Sequence, residues 1–357
     1  MTTGRTVLIA PDSFKGSLTS VEVARALAAG WRQVRPDDEI VLCPLADGGE
    51  GTLVAIEAAG GWHWRTAMVR DPLQRPIEAR WLLSEDGRHA VVEMAEASGL
   101  SRVAPGERDP IGASSVGTGE LVGAAIDAGA HHVTLGIGGS ATTDGGRGLL
   151  EGLEAGGRRL DGTDIEVACD VTNPLLGPTG AAATYGPQKG ATPDDVATLD
   201  ARNAAWADEL EGLEGRQERA TAGAGAAGGV GFGLLAAQGR FRSFALRPGV
   251  DLLMDATDFG TRLARTDLVI TGEGRIDAQT AFGKTALGVA QRAQAAGVPC
   301  IAVGGGVEPE GITALAAVGA VAVPVTERPQ SVEEAMAAGT APIERCGERL
   351  AHLVSLW

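Results

Sequence analysis

The sequence predicts an α/β protein built as two lobes, and three observations carry that prediction. The chain has 357 residues, long for one core and suited to two lobes of roughly 100 to 200 residues each. Its composition is 44% hydrophobic but only 4% aromatic, so the core is aliphatic, as expected of buried parallel strands flanked by helices. Short apolar runs that end in glycine-rich loops and lead into helical spacing recur along the chain, most clearly in its first and last thirds.

Taken in order, residues 5–10 form an apolar strand that runs into the loop PDSFKGSLT, residues 11–19. Thr19 with Glu22 three residues later reads as a capping box, and Ala24, Leu27, Ala28, Trp31 and Val34 keep helical spacing behind it. A second strand over 39–45 ends in ADGGEGT, residues 46–52, and another short helix. From Trp62 to Ala95 the character changes to strand-like segments with a turn at 85–88, so antiparallel pairing and a second lobe are expected. A helix near 115–128 precedes a strand over 132–135 and the run GIGGSATTDGG, residues 136–146, with helical spacing at Leu149, Leu150 and Leu153. Strand 165–169 ends in DVTNPLLGPTG. Thr192 and Pro193 start a helix that should reach about Leu210, with an exposed connection over 211–221. GAGAAGGVGFG follows at 223–233. The last third alternates again: strand 267–271, loop 272–285, a helix to Ala296, strand 298–303, a helix, strand 320–325 and a terminal helix.

Charge excludes some classes of function. The formal net charge is -16 and the arginines are dispersed, so no basic stripe can track a nucleic-acid backbone. The first eleven residues lack the basic and hydrophobic regions of a signal peptide, and no segment approaches ~18 uninterrupted apolar residues. A cytoplasmic protein without a membrane partner is expected. Cys43, Cys169, Cys300 and Cys346 are far apart with no CxxC pair and read as buried thiols.

The glycine-rich loops carry the chemistry. Only three of the 30 basic residues are lysine, and Lys15, Lys189 and Lys284 each lie beside a glycine in such a loop. A chain that otherwise uses arginine keeps a compact ammonium where a phosphate contact suits it. Carboxylates share these loops: Asp12, Asp47 with Glu50, Asp144, Asp170, and Glu273 with Asp277. Phosphoryl transfer needs cations on the phosphates, carboxylates for a metal and a base for the hydroxyl proton. Each Asp is equally readable as a turn or cap residue. Asn173, one of two asparagines, and Tyr185, the sole tyrosine, stand in the same region. FGKT at 282–285 misses the P-loop pattern, since Ala278 stands where its first glycine belongs. GIGGSA at 136–141 fits GxGxxA after a strand and keeps a dinucleotide-dependent oxidoreductase open. No histidine pair has zinc-ligand spacing, and no GxSxG elbow is present.

Read in order, APDSFKGSL, PLADGGEGT, EMAEASGL, GIGGSATTDGG, ACDVTNPLLGP with YGPQKGAT, GAGAAGG and DLVITGEGRID with GKT resemble one family, the bacterial glycerate kinases of type 1. The resemblance spans about residues 6–350. It implies ATP- and Mg²⁺-dependent phosphorylation of D-glycerate, with 2-phosphoglycerate favoured over 3-phosphoglycerate, in glyoxylate or sugar-acid metabolism. It also implies a discontinuous Rossmann-like domain, residues 1–61 and 265–357, and an inserted α/β domain, residues 62–264, with the active site in the cleft between them. By motif, Lys15, Asp47, Asp170 and Asp277 are expected to be catalytic, with Asp170 and Asp277 as Mg²⁺ ligands. Lys189 and Lys284 are expected at the phosphates. Asp12, Ser13, Gly48, Gly49, Glu50, Gly138, Gly139, Ser140, Thr142, Asp144, Asn173, Gly272, Glu273, Gly274 and Arg275 are expected to bind substrate or nucleotide. A homodimer and a monomer are both compatible with the sequence. The connection over 158–165 and the loop GGGVEPE at 304–310 depart from the family pattern. A non-catalytic sugar-acid sensor is the rival from another class.

Overall fold

The computed structural model describes residues 4–280 and 285–356. Strand β1 (Thr6–Pro11) leads to helix α1 (Ser20–Val34). Its capping box forms as expected: Thr19 Oγ1 accepts the Glu22 N–H, and the Glu22 carboxylate accepts the Thr19 N–H. Strand β2 (Glu39–Leu42) stops short of the expected 45, just before Pro44, which has no N–H to give. The N–H groups of Cys43 and Leu45 still donate to the Ile9 and Pro11 carbonyls. Helix α2 (Thr52–Ala59) follows.

The change of character at Trp62 is real. Strands β3 (Trp62–Arg70) and β4 (Pro76–Ser84) pair antiparallel, and β5 (His89–Glu93) returns antiparallel to β4 across the expected turn. Then come α3 (Met94–Ser98), α4 (Val116–Asp127), β6 (His132–Gly136), α5 (Arg147–Leu153), β7 (Asp164–Ala168) and α6 (Ala181–Tyr185). Helix α7 (Pro193–Glu214) starts at the Thr192 cap but runs four residues beyond the expected end. The connection over 211–221 is largely exposed, as expected, and is anchored at its start. Glu211 is buried and accepts the N–H groups of Glu218 and Arg219 and the Arg219 Nε–H, each at 2.8 Å. Burial pushes its pKa up, but Arg219 and those two amides outweigh it and hold the carboxyl below its usual range. Helix α8 (Val230–Ala236), strand β8 (Ser243–Arg247) and helices α9 (Gly249–Ala256) and α10 (Phe259–Leu263) complete the middle of the chain.

Strand β9 (Leu268–Ile276) continues five residues past the expected Thr271, so GEGRI is strand and not loop. Its partner β10 (Cys300–Val307) is also glycine-rich, and the ladder runs to Arg275↔Gly306 and Ile276↔Val307. A Cβ at Gly272 would lie 2.5 Å from the Val303 side chain and its carbonyl, so glycine is what lets these backbones stay paired. Helices α11 (Thr285–Ala295) and α12 (Pro309–Ala317), strand β11 (Ala320–Pro324), and helices α13 (Val332–Ala337) and α14 (Ala341–Val354) end the chain.

These elements form two compact units. The first comprises Met1–Asp47, Val54–Gly60 and Leu253–Trp357, and the second Gly48–Leu53 and Gly61–Leu252. The first holds a five-stranded, all-parallel sheet in the order β11-β10-β9-β1-β2. Its core joins Val7, Ile9, Leu27, Trp31, Ile270, Val303 and Leu350. The second holds a six-stranded mixed sheet in the order β3-β4-β5-β6-β7-β8, parallel from β5 onward. Its core joins Trp81, Val92, Leu121, Leu135, Leu149, Val167 and Phe232. The fold is therefore mixed α/β, as the composition predicts. Among the described residues no helix is long and apolar enough to cross a membrane, and all four cysteines are free.

Candidate active site

In the first unit the strand order reverses between β1 and β9: β1 is followed by β2 on one side, and β9 by β10 on the other. Parallel sheets collect ligands beyond their carboxyl ends at such a reversal. There the chain places Asp12 and Ser13 just after β1, Glu273–Arg275 near the end of β9, and Asp47 after β2. A cavity of about 720 Å³ opens at this point, lined by Asp12, Ser13, Lys15, Asp47, Glu273, Gly274 and Arg275 among others.

The charges in this cavity are organised around Lys15. Its ammonium donates to Asp47 Oδ2 at 2.5 Å, with both side chains open to solvent. Partial burial pulls the Lys15 pKa down, but Asp47, Asp12 and Glu273 outweigh it and the pKa is raised, so the ammonium stays charged. Asp12 is buried; its Oδ1 accepts the Ser13 N–H at 2.6 Å and its Oδ2 the Thr285 hydroxyl at 2.7 Å. Burial raises its pKa, and the Asp47 charge adds to that. Glu273, also buried, accepts the hydroxyl of Thr280 at 2.5 Å. Thr280 and Thr285, absent from the sequence-predicted set, thus orient the two buried carboxylates. A hydroxyl carries no sequence signal of its own, although both threonines stand in the loop already marked by Glu273 and Asp277.

Arg275 and Asp277 lie on this side as well. The Arg275 guanidinium pairs with Glu308 and approaches Asp277 Oδ2 at 3.5 Å, and Asp277 Oδ1 accepts the Gln279 N–H. Lys284 lies outside the described residues.

The second unit gathers the other expected residues. Gly48 begins its segment with φ +82°, and a Cβ there would sit 2.5 Å from the Ala168 Cβ, so the position requires glycine on two counts. Glu50 is exposed, while the Gly49 carbonyl accepts the Thr52 hydroxyl at 2.7 Å. Glu93, at the end of β5, holds this loop. It is 4% exposed, accepts the Leu53 N–H at 2.7 Å and also bonds the Gly51 backbone. Burial, with help from Glu96 and Glu50, raises its pKa to about 7. Glu93 lies in the EMAEASGL motif and is absent from the expected site residues; its signal is an acid ending an apolar strand.

The run GIGGSATTDGG contains no lysine, yet the structure supplies one to it. Lys189 is buried, and its Nζ donates to Ser140 Oγ at 2.9 Å and to the Thr142 carbonyl at 2.5 Å. Burial lowers its pKa to about 7 against the attraction of Asp144. Gly138 N–H donates to the Gly48 carbonyl at 3.4 Å, and Gly139 accepts the Leu100 N–H, so Gly138 and Gly139 serve the loop's own packing. The Asp144 carboxylate accepts the Ser115 N–H and hydroxyl and the N–H groups of Gly146 and Gly148 at the start of α5. Asp170 is exposed and accepts the Gly249 N–H at 3.0 Å. Asn173 and Tyr185 meet each other: the Tyr185 hydroxyl donates to Asn173 Oδ1 at 2.7 Å.

The first unit therefore brings together Asp12, Ser13, Lys15, Asp47, Gly272, Glu273, Gly274, Arg275 and Asp277. The second brings together Ser140, Thr142, Asp144 and Lys189 in one cluster and Asn173 and Tyr185 in another. Among the described residues, no three His, Cys, Asp or Glu side chains converge as a metal cage.

Comparison with known proteins gives the chain's family. The model of the Glycerate kinase family matches residues 7–162 and 153–355. A glycerate kinase of Halalkalibacterium halodurans is 41% identical over 380 residues, covering 99% of this chain and 98% of that protein. The glycerate 2-kinase of Escherichia coli K12 is 41% identical over 84% of each chain. A crystal structure from Salmonella typhimurium LT2, provisionally assigned as glycerate kinase 2, superposes with a TM-score of 0.84 at 39% identity over 99% of both chains. These matches do not favour a dinucleotide-dependent oxidoreductase or a non-catalytic sensor. The chain belongs to the glycerate kinase family and is an enzyme, a kinase.

Proposed function

We propose that the chain transfers the γ-phosphoryl group of ATP to D-glycerate, yielding ADP and 2-phosphoglycerate, as a cytoplasmic enzyme of glyoxylate or sugar-acid metabolism. The observation that carries the reading is the Lys15–Asp47 pair beside the buried carboxylates Asp12 and Glu273, at the carboxyl ends of β1, β2 and β9. The glycerate oxygen attacks the γ-phosphorus as the bond to the ADP oxygen breaks. Asp47 takes the hydroxyl proton as general base. Lys15 stays protonated and stabilises charge on the transferring group. Arg275 serves the glycerate carboxylate by exchanging its contact with Glu308 for the substrate.

Magnesium suits this donor set. Mg²⁺ takes hard oxygen ligands, keeps several waters and is bound by one or two carboxylates with substrate phosphates, so a full protein cage is not required. Asp170 and Asp277 are the assigned ligands, and the ion would supply neutralisation of phosphate charge. The division that goes with this reading is a Rossmann-like domain of residues 1–61 and 265–357 and an inserted domain of residues 62–264. Lys189 and Lys284 belong to the set, with Lys189 acting through Ser140 and Thr142.

The test is ADP release driven by D-glycerate in the full chain and two variants. Lys15→Ala and Asp47→Asn are each expected to lower kcat/KM about 100-fold or more, the scale of a general base or charge stabiliser. Turnover unchanged in both, with folding intact, would refute the assignment.

A further inference from the structure

The cavity of the first unit is lined by charged side chains, Lys15, Asp47, Glu273, Arg275, Glu308 and Arg328, and by apolar ones, Val307, Val325, Val332, Met336 and Ile343. Val332 and Met336 remain 76% and 41% exposed. With Ala335 they stand at i, i+3 and i+4 on α13, so they share one helix face, and all three line the cavity. A face of open apolar side chains inside a cavity marks a binding surface. Met336 adds an adaptable thioether suited to the flat face of a ring. Its Cε reaches to 3.3 Å from where a Cβ on Gly16 would stand, so the apolar wall abuts the Lys15 loop.

Size limits the occupant. About 720 Å³ lies within the roughly 300–1,000 Å³ of sites that enclose a drug-sized ligand, and far exceeds what a three-carbon acid fills. The occupant must carry a flat, weakly polar part for the α13 wall and an anionic part for Lys15. Resting on the kinase reading, we propose that this cavity is the nucleotide site. The base and sugar of a nucleoside triphosphate lie against Val332, Ala335 and Met336, and its phosphates point to Ser13 and Lys15, leaving Arg275 to the acceptor acid. Nucleotide binding is then a property of the first unit's residues and does not require the acceptor acid.

Calorimetric titration of the full chain with MgADP, without glycerate, tests this. Ala335→Trp adds bulk to the α13 wall, and Met336→Glu places a charge on it. Each is expected to weaken MgADP binding at least tenfold while thermal unfolding stays within a few degrees. Leu213→Glu, at an exposed apolar position on α7, is expected to leave binding unchanged. MgADP affinity within twofold of the parent in both folded cavity variants would overturn the proposal, as would a parent chain that binds no MgADP. A parent that binds MgADP, with both variants impaired, but never phosphorylates glycerate would leave the cavity assignment standing and remove the reaction assigned above. A parent that phosphorylates glycerate, with MgADP binding untouched in both variants, would do the reverse.

Discussion

Lys15 and Asp47 form a close ion pair that contributes little to stability. Both side chains are open to water, and exposed pairs are worth roughly 0–1 kcal/mol. Lys15→Met is therefore expected to shift the urea midpoint little while turnover collapses; a large loss of stability would make the pair structural. Glu93 behaves differently. Its pKa rises from 4.5 in the unfolded chain to about 7 in the fold. Between those values the folded chain holds a proton the unfolded chain has lost, so this term weakens stability as pH rises from about 4.5 to 7. The total is about 3 kcal/mol at 1.36 kcal/mol per unit. Glu93→Gln removes the term, so its stability relative to the parent should rise between pH 4.5 and 8; parallel curves would contradict this. Lys189 has the opposite sign, because its folded pKa of about 7 lies below the unfolded 10.5. Between pH 7 and 10.5 the unfolded chain holds the extra proton, and stability rises with pH. Lys189→Met should therefore lose part of its relative advantage between pH 7 and 9.5, measured by urea unfolding.

At the scale of elements, local signals were legible and long-range pairing was not. Thr19 with Glu22 marks the start of α1 in sequence, and the capping box is there. Thr19→Ala is expected to cost about 1 kcal/mol, the usual worth of such a cap. The run GEGRI reads as a loop because glycine punctuates loops, yet its partner 31 residues on, the GGG of β10, makes it strand. Nothing local in either stretch announces that pairing. The crossing of α1 and α14 was hidden in the same way. A Cβ at Gly30 would lie 1.8 Å from the Glu344 carbonyl oxygen, and one at Gly347 would lie 2.3 Å from that of Leu27. Gly30→Ala must push the helices apart, at about 1–3 kcal/mol, the range for overfilled cores. A thermal midpoint unchanged by Gly30→Ala would contradict that contact.

For the whole molecule, the two-lobed α/β reading came from length, aliphatic composition and the change of pattern at Trp62, all of which need no partner residue to be seen. The candidate site was legible as a set of loops, since glycines, lysines and acids concentrate there. Which side chains meet was not legible. Sequence treats Lys15 and Lys189 alike, but one is an exposed ammonium on Asp47 and the other is buried under Ser140 and Thr142. Glu93, Thr280 and Thr285 matter only through atoms that folding brings to them. A chain of net charge -16 acting on anions must concentrate its cations locally, and Lys15 with Arg275 in one cavity meets that need. ³¹P NMR of the full chain with ATP, Mg²⁺ and D-glycerate tests the reaction itself most directly. Loss of the ATP γ-signal is expected, with the growth of ADP and a phosphomonoester coupled to the single proton on C2. A spectrum in which ATP persists unchanged would contradict it.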